Sequence, residues 1–367
     1  MSDNTQATTR GLTDENLIDI PGLASHWVRL ADGRRAHYVT AGTSGPSVIL
    51  LHGGLEGSSG TAGWRFMAPF LGERGFRVYC PDRPGFGLSD TSNAAYLRHD
   101  FKANVDFVKM FADALCLDEF HLSGNSHGCI VSCDFLVSHP ERVKSVMFIA
   151  GMVGDIAPRR FMPSEGKFNP NPGYKPEPWD GTPEGMQFLM DGIIYEKAAV
   201  WPELVQMRSF SAQMQREARA KHGIPFNPFD VSNPNLVQIF STKGRLDKIT
   251  IPMIYLYGLQ DVLMPVEHGF HQEDNVPNIQ FFYPDECGHQ GQTDQPDLFN
   301  EVALEFFKTG KVRWQTAVDA GVSLRRPINP RYVEEPESGF PAPKPEIYEG
   351  NIDTLRNGLK ALETGDA

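Results

Sequence analysis

The chain has 367 residues, 40% of them apolar and 11% aromatic, enough to bury a substantial core. Lys and Arg total 34 against 46 Asp and Glu, and the formal charge of −12 repels nucleic acid and anionic lipid, although one arginine in a closed pocket still permits an anionic small-molecule substrate. No stretch reaches the length of a membrane span and the first 20 residues lack a hydrophobic signal region, so the expectation is a cytoplasmic protein without membrane or nucleic-acid partners.

Residues 1–24 read as a flexible arm, and a core begins at residue 25. His26–Leu30 and Arg35–Thr40 flank Asp32-Gly33, a hairpin signal. Val48–Leu51 is a short apolar run ending in His52-Gly53-Gly54, and Phe76–Cys80 repeats the pattern before Pro81–Asp90. Runs bounded in this way predict parallel strands covered on both faces. Residues 100–116 carry a helical apolar face, with Val105, Phe107, Val108, Phe111 and Leu115. Phe120–Leu122, the small-residue turn Ser123–Gly128, a buried helix over Cys129–Val137 and the run Val146–Ala150 then form a βαβ unit. The five cysteines, at 80, 116, 129, 133 and 287, have no framework spacing; several sit in apolar runs as buried thiols do, and the pattern fits a reducing compartment.

The first part of the core is expected to close at 153. Residues 154–240 change texture: a Pro-, Gly- and Asn-rich loop over 157–184 precedes candidate helices at 183–192, 202–220 and 234–240. Helices without strands between them predict a lid over the strand ends. The core resumes over 241–310, with a strand at Ile251–Tyr257 ending in Gly258–Asp261, another at Ile279–Tyr283 leading to His289, and a closing helix at Asp297–Phe307. Residues 311–367 form a Pro-rich extension with a short helix near Ile352–Leu362; covering the cap, supporting a homo-oligomer and staying mobile are its three open readings. The predicted architecture is α/β, a mostly parallel sheet with an inserted helical cap.

Gly124-Asn125-Ser126-His127-Gly128 is Gly-x-Ser-x-Gly between a strand and a helix. A serine on so tight a turn projects its hydroxyl, and the glycines permit close backbone approaches. The turn also places the serine near helix N–H groups that stabilise an oxyanion. A hydroxyl needs a base and an orienter, which here follow in the order serine, acid, histidine. Of the 11 histidines, His289 lies in the loop after the last strand, and Asp261 lies after the preceding one. Asp155 is the fallback acid. His52 reads as structural, and His121 and His139 as surface or helix-end residues. The oxyanion donors are expected to be the N–H groups of His127 and Gly54, with Gly53 next. Arg208, in a candidate cap helix, reads as a solvated surface group or as a functional cation. Asp90 and its neighbours read as a structural turn. No metal-ligand spacing and no dinucleotide or phosphate-loop pattern is present, so neither a metal nor a cofactor is expected.

These residues resemble the α/β-hydrolase superfamily and, within it, the meta-cleavage-product hydrolases, which cleave a carbon–carbon bond in ring-opened products of aromatic catabolism. The resemblance spans about residues 35–310 and is carried by three blocks: His52–Gly57, with Leu55-Glu56 in place of the more usual Gly-Pro; Gly124–Gly128, including Asn125; and Asp285–His289 followed by Phe299-Asn300 and Phe306-Phe307. It implies that Arg208 grips a substrate carboxylate and that Asn125 and Gln290 border the substrate, Gln290 standing where the family often has Trp. The implied reaction is serine-dependent hydrolysis of a 2-hydroxy-6-oxo-dienoate-type compound. An ester or lactone hydrolase with the same triad is the alternative; a dehalogenase or epoxide hydrolase would carry Asp in place of Ser126.

Overall fold

The structure, a computed structural model, describes residues 11–153, 178–228, 239–242, 244–350 and 352–364. Its centre is an eight-stranded sheet in the order β1-β2-β4-β3-β5-β6-β7-β8. These strands are Ala24–Arg29 (β1), Arg35–Ala41 (β2), Ser47–Leu51 (β3), Arg77–Pro81 (β4), Phe120–Asn125 (β5), Val143–Ile149 (β6), Met253–Leu256 (β7) and Gln280–Phe282 (β8). The Asp32-Gly33 turn makes the expected hairpin, pairing Arg29 with Arg35, and β2 joins β4 antiparallel; every later pairing is parallel. All residues of β3, β5, β7 and β8 are buried, which is why Val48–Leu51 of β3 and Met253–Leu256 of β7 read as continuous apolar runs rather than alternating ones.

The first four helices are Gly60–Trp64 (α1), Met67–Glu73 (α2), Phe101–Ala114 (α3) and His127–Ser138 (α4). α3 starts where the Asp100 carboxylate accepts the Ala103 N–H at 3.0 Å. α4 is buried on all sides from His127 to Val137, so it shows no amphipathic stripe. β3 and β5 are neighbours, whereas the chain goes from β3 to β4 on the other side. The crevice above their carboxyl ends is therefore the switch point where ligands of such sheets bind.

Two further helices, Pro183–Ile193 (α5) and Pro202–His222 (α6), form the described part of the cap. Each begins with proline at its first position, and α6 ends at Gly223 in the left-handed conformation with φ 66°. They share an apolar cluster with Trp179, Met186, Met190, Ile193 and Val205, against which Leu55, Phe66 and Leu263 of the core pack. The expected loop over 157–184 falls largely outside the described residues, as do Asp155 and most of the helix expected at 234–240.

Both ends of the chain lie on the core where they are described. In the segment 11–23, read from sequence as flexible, Leu17 and Ile18 are buried and an isolated bridge joins Leu12 to Ile18. In the extension, Phe282 of β8 bridges Val322, and Leu324, Val333 and Tyr348 are buried. Its helix Ile352–Thr364 brings Arg356 Nε to Asp285 Oδ2 at 2.7 Å. The extension thus covers the edge that β8 would otherwise present. No described helix is long and apolar enough to cross a membrane.

Candidate active site

Ser126 stands between the last residue of β5 and the first of α4, with φ 56° and ψ −120°. That conformation costs a side chain of this kind about 1–3 kcal/mol and is kept only where its surroundings enforce it. Space dictates the flanking glycines: a Cβ at Gly124 would lie 2.1 Å from the Gly128 carbonyl oxygen, and one at Gly128 would lie 2.1 Å from the Leu51 carbonyl oxygen. The hydroxyl therefore sits at the N-terminus of α4, where first-turn N–H groups have no intrahelical acceptor.

Asp261 lies five residues beyond β7 and His289 seven beyond β8, and the two loops meet. His289 Nδ1 is 2.7 Å from Asp261 Oδ2, with both side chains buried. The other carboxylate oxygen accepts the N–H groups of Leu263 and Met264, each at 2.9 Å. A carboxylate held in this way fixes the tautomer with hydrogen on Nδ1 and leaves Nε2 as the basic nitrogen. Asn125 Nδ2 donates to the His289 carbonyl at 2.9 Å, so the residue before Ser126 braces the histidine loop. Ser126 Oγ makes no hydrogen bond to a described residue; such bonds commonly tighten only once substrate is bound.

The His52–Gly57 turn lies beside the serine: a Cβ at Gly53 would meet Ser126 Cβ at 3.5 Å, closer than any other neighbour. His52 is structural here, as read from sequence. Its Nδ1 donates to the Gly53 carbonyl at 2.7 Å and its Nε2 accepts the Arg83 N–H at 3.0 Å. Burial, helped by the charge of Arg83, drops its pKa to about 3, so the ring stays neutral.

Arg208 is not a solvated surface residue. It is 2% exposed, on the face of α6 that meets the core. Its Nη2 donates to the Glu56 carbonyl at 3.0 Å, and a Cβ at Gly57 would strike the Arg208 carbonyl oxygen at 2.6 Å, so helix and turn are in close contact. Among the described residues Arg208 Nε has no partner and no carboxylate pairs with this guanidinium. Burial lowers its pKa to about 9, which leaves it charged at neutral pH. A buried cation with spare donors is costly until an anion arrives.

Sequence reasoning missed three other features. The Glu56 carboxylate meets Arg216 at 3.1 Å and Arg219 at 3.4 Å, both on α6. Asp294 Oδ1 accepts the N–H groups of Tyr195 at 2.8 Å and Glu196 at 3.1 Å, while its Oδ2 accepts that of Gly288 at 2.7 Å. Burial raises its pKa to about 6 against the opposing pull of those bonds. Arg83, inside the turn read as structural, is wholly buried beneath the His52–Gly54 segment. Gln290 is buried next to His289 and its carbonyl caps the short helix Gly291–Asp294. His121, expected at the surface or a helix end, is a buried strand residue hydrogen-bonded to Ser145 Oγ at 2.8 Å, because β5 is covered on both faces. Among the described residues no group of three or more His, Cys, Asp or Glu could hold a metal ion.

The family model described as the alpha/beta hydrolase fold matches residues 46–296. A 2-hydroxy-6-oxononadienedioate/2-hydroxy-6-oxononatrienedioate hydrolase of Pseudomonas putida is 32% identical over 285 residues, covering 77% of this chain and 96% of that protein. A 2-hydroxy-6-oxo-6-phenylhexa-2,4-dienoate hydrolase of Burkholderia cepacia is 29% identical, covering 75% of this chain and 92% of its own length. Among solved structures, a meta-cleavage product hydrolase of Pseudomonas fluorescens complexed with acetates superposes with a TM-score of 0.62 at 25% identity, covering 78% of this chain and 98% of that one.

Proposed function

This chain belongs to the α/β-hydrolase family, close to the meta-cleavage-product hydrolases, and from that premise we propose that it hydrolyses a carbon–carbon bond in a 2-hydroxy-6-oxo-dienoate-type ring-fission product. The observation that carries the substrate class is Arg208: a buried guanidinium beside the His52–Gly57 turn, without a carboxylate partner among the described residues, suits a planar substrate carboxylate held by two parallel hydrogen bonds. The apolar cluster of the cap, reaching Leu55 and Leu263, suits the hydrocarbon part of such a molecule.

In this reading, ketonisation of the dienol comes first and gives the electrons of the breaking bond an acceptor. His289, oriented by Asp261, takes the Ser126 proton as the hydroxyl attacks the distal ketone. The N–H groups of His127 and of Gly54, with Gly53 next, receive the oxyanion, each donor contributing about 3 kcal/mol to the transition state. Cleavage releases the dienoate fragment, which takes up the proton, and water hydrolyses the acyl-serine.

The test compares a ring-fission dienoate with neutral activated esters, with products identified by mass. Arg208→Ala is expected to lower kcat/KM for the dienoate by about 100-fold, in the range for an unpaired charge-assisted contact, and for neutral esters by less than about threefold. Equal losses on both substrates would reject the carboxylate role. Efficient cleavage of esters with no turnover of the dienoate would favour the ester or lactone hydrolase.

A further inference from the structure

Arg83 lies two residues beyond β4 and is fully buried. Its Nη2 donates to the carbonyl oxygens of His52 at 2.6 Å and Gly53 at 2.7 Å. Its Nη1 donates to Asn104 Oδ1 at 2.9 Å and to His127 Nδ1 at 2.6 Å. An arginine only donates, so that ring nitrogen accepts. One face of the guanidinium lies over the Phe86 ring, 5.3 Å from its centroid. All four acceptors are neutral. One reason for the residue is local: an apolar side chain of similar volume would avoid the desolvation that brings this guanidinium down to about 9, but would leave these buried acceptors without it.

Peptide geometry supplies another reason. The peptide bonds are trans, and in a planar trans peptide the C=O and N–H point in opposite directions. With the His52 and Gly53 carbonyls drawn onto Arg83, the N–H groups of Gly53 and Gly54 are turned away from it. The heavy atom nearest to the Cβ direction of Gly53 is Ser126 Cβ. The same guanidinium grips the side chain of His127, whose N–H is the other expected donor.

We propose that Arg83 is a positioning residue of the oxyanion site, one guanidinium that aligns both donor-bearing segments, the His52–Gly54 turn and His127, beside Ser126. This rests on the serine-hydrolase reading above. A lysine would keep the charge, but its single ammonium lacks the planar fork that spans acceptors on two segments. Donors aimed at charge that develops only in the transition state act on kcat rather than on KM.

The experiment measures kcat and KM of Arg83→Lys for the dienoate and an activated ester, together with inhibition by a boronic acid that forms a tetrahedral adduct with serine. A kcat about 100-fold lower is expected on both substrates, with KM within about twofold and boronate affinity falling in parallel with kcat/KM. Asn104→Ser, which removes one anchor of the guanidinium, is expected to give the same signature at about fivefold, and it carries the test if Arg83→Lys does not fold. A folded variant with unchanged kcat, or a loss confined to KM with boronate affinity intact, overturns the proposal. Ser126→Ala separates the two levels: if it keeps turnover, the serine reading fails; if it abolishes turnover while the Arg83 and Asn104 variants keep kcat, only the inference about Arg83 fails.

Discussion

Among the described residues, two serine–histidine–aspartate constellations stand out, and the one with the better hydrogen bonds is not the candidate active site. On the β1–β2 hairpin, Ser25 Oγ lies 3.1 Å from His37 Nε2 and His37 Nδ1 lies 2.7 Å from Asp82 Oδ2. At the sheet's carboxyl edge, His289 and Asp261 repeat the 2.7 Å contact, but Ser126 makes no such bond. In each pair the aspartate also accepts two backbone N–H groups: those of Gly60 and Leu88 for Asp82, those of Leu263 and Met264 for Asp261. The difference lies in the serine. Ser25 is an exposed residue of a regular strand whose hydroxyl also meets the Glu15 carboxylate. Ser126 is strained at a helix N-terminus beside a glycine turn. A proton relay is common protein architecture; a serine whose surroundings await negative charge is what makes one catalytic.

The sharpest way to break this comparison is to delete each hydroxyl. Ser126→Ala is expected to reduce kcat by 10⁴-fold or more, about the scale seen when a serine nucleophile is removed, while Ser25→Ala leaves it within about twofold. Steady-state kinetics on folded protein checks both, and a comparable loss at Ser25 would erase the distinction. The acids come next. Asp261→Asn is expected to cost about 10³–10⁴ in kcat by upsetting the histidine tautomer, with a small change in melting temperature. Asp82→Asn is expected to do the reverse, destabilising the fold by about 3 kcal/mol through its buried network with kcat per folded molecule retained. Denaturant unfolding beside kinetics separates the two.

The last comparison concerns pH and sets Asp82 against Asp294. Burial pushes the Asp82 carboxyl up, but His37 and the backbone N–H of Leu88 outweigh it and hold it below its ordinary value. Its stabilisation is present above the unfolded pKa and is lost as pH falls through the lower folded one. Asp294 has the opposite sign: with a folded pKa of about 6 against 3.8, the folded state binds the extra proton, so stability falls as pH rises from about 4 through 6. The full change is about 3 kcal/mol for a shift of this size. In Asp294→Asn this slope is expected to vanish, so native stability minus variant stability decreases as pH rises from 4 to 7. Unfolding curves that stay a constant distance apart would show that Asp294 does not titrate there.

Much of this was legible in the sequence, and physics explains the rest. Parallel strands announce themselves where burial on both faces leaves apolar runs such as Val48–Leu51 and Met253–Leu256, and the candidate residues Ser126 and His289 are read from their places after strand ends. Arg208 was obscured because the core-facing stripe of α6 is partly polar, with Arg208, Ser211, Gln215 and Arg219 at helical spacing, a pattern that reads as solvated surface. α1 and α2 went unread because Gly60, Gly63, Pro69 and Gly72 break up their helical signal. Arg83 gave no local sign at all: its partners come from three other stretches of chain and meet only in the folded state.

Glu56 bears on how such a protein can be rebuilt. Its carbonyl meets Arg208 and its carboxylate meets Arg216 and Arg219, so one residue of the glycine turn is gripped along three turns of a single helix. The cap is consequently not a detachable module. A chimera that imports a foreign helix over 202–222 strands the Glu56 carboxylate, and one that imports a foreign turn strands two guanidiniums. Recombination between relatives would have to exchange the turn and the helix together, although about 150 positions of chain separate them.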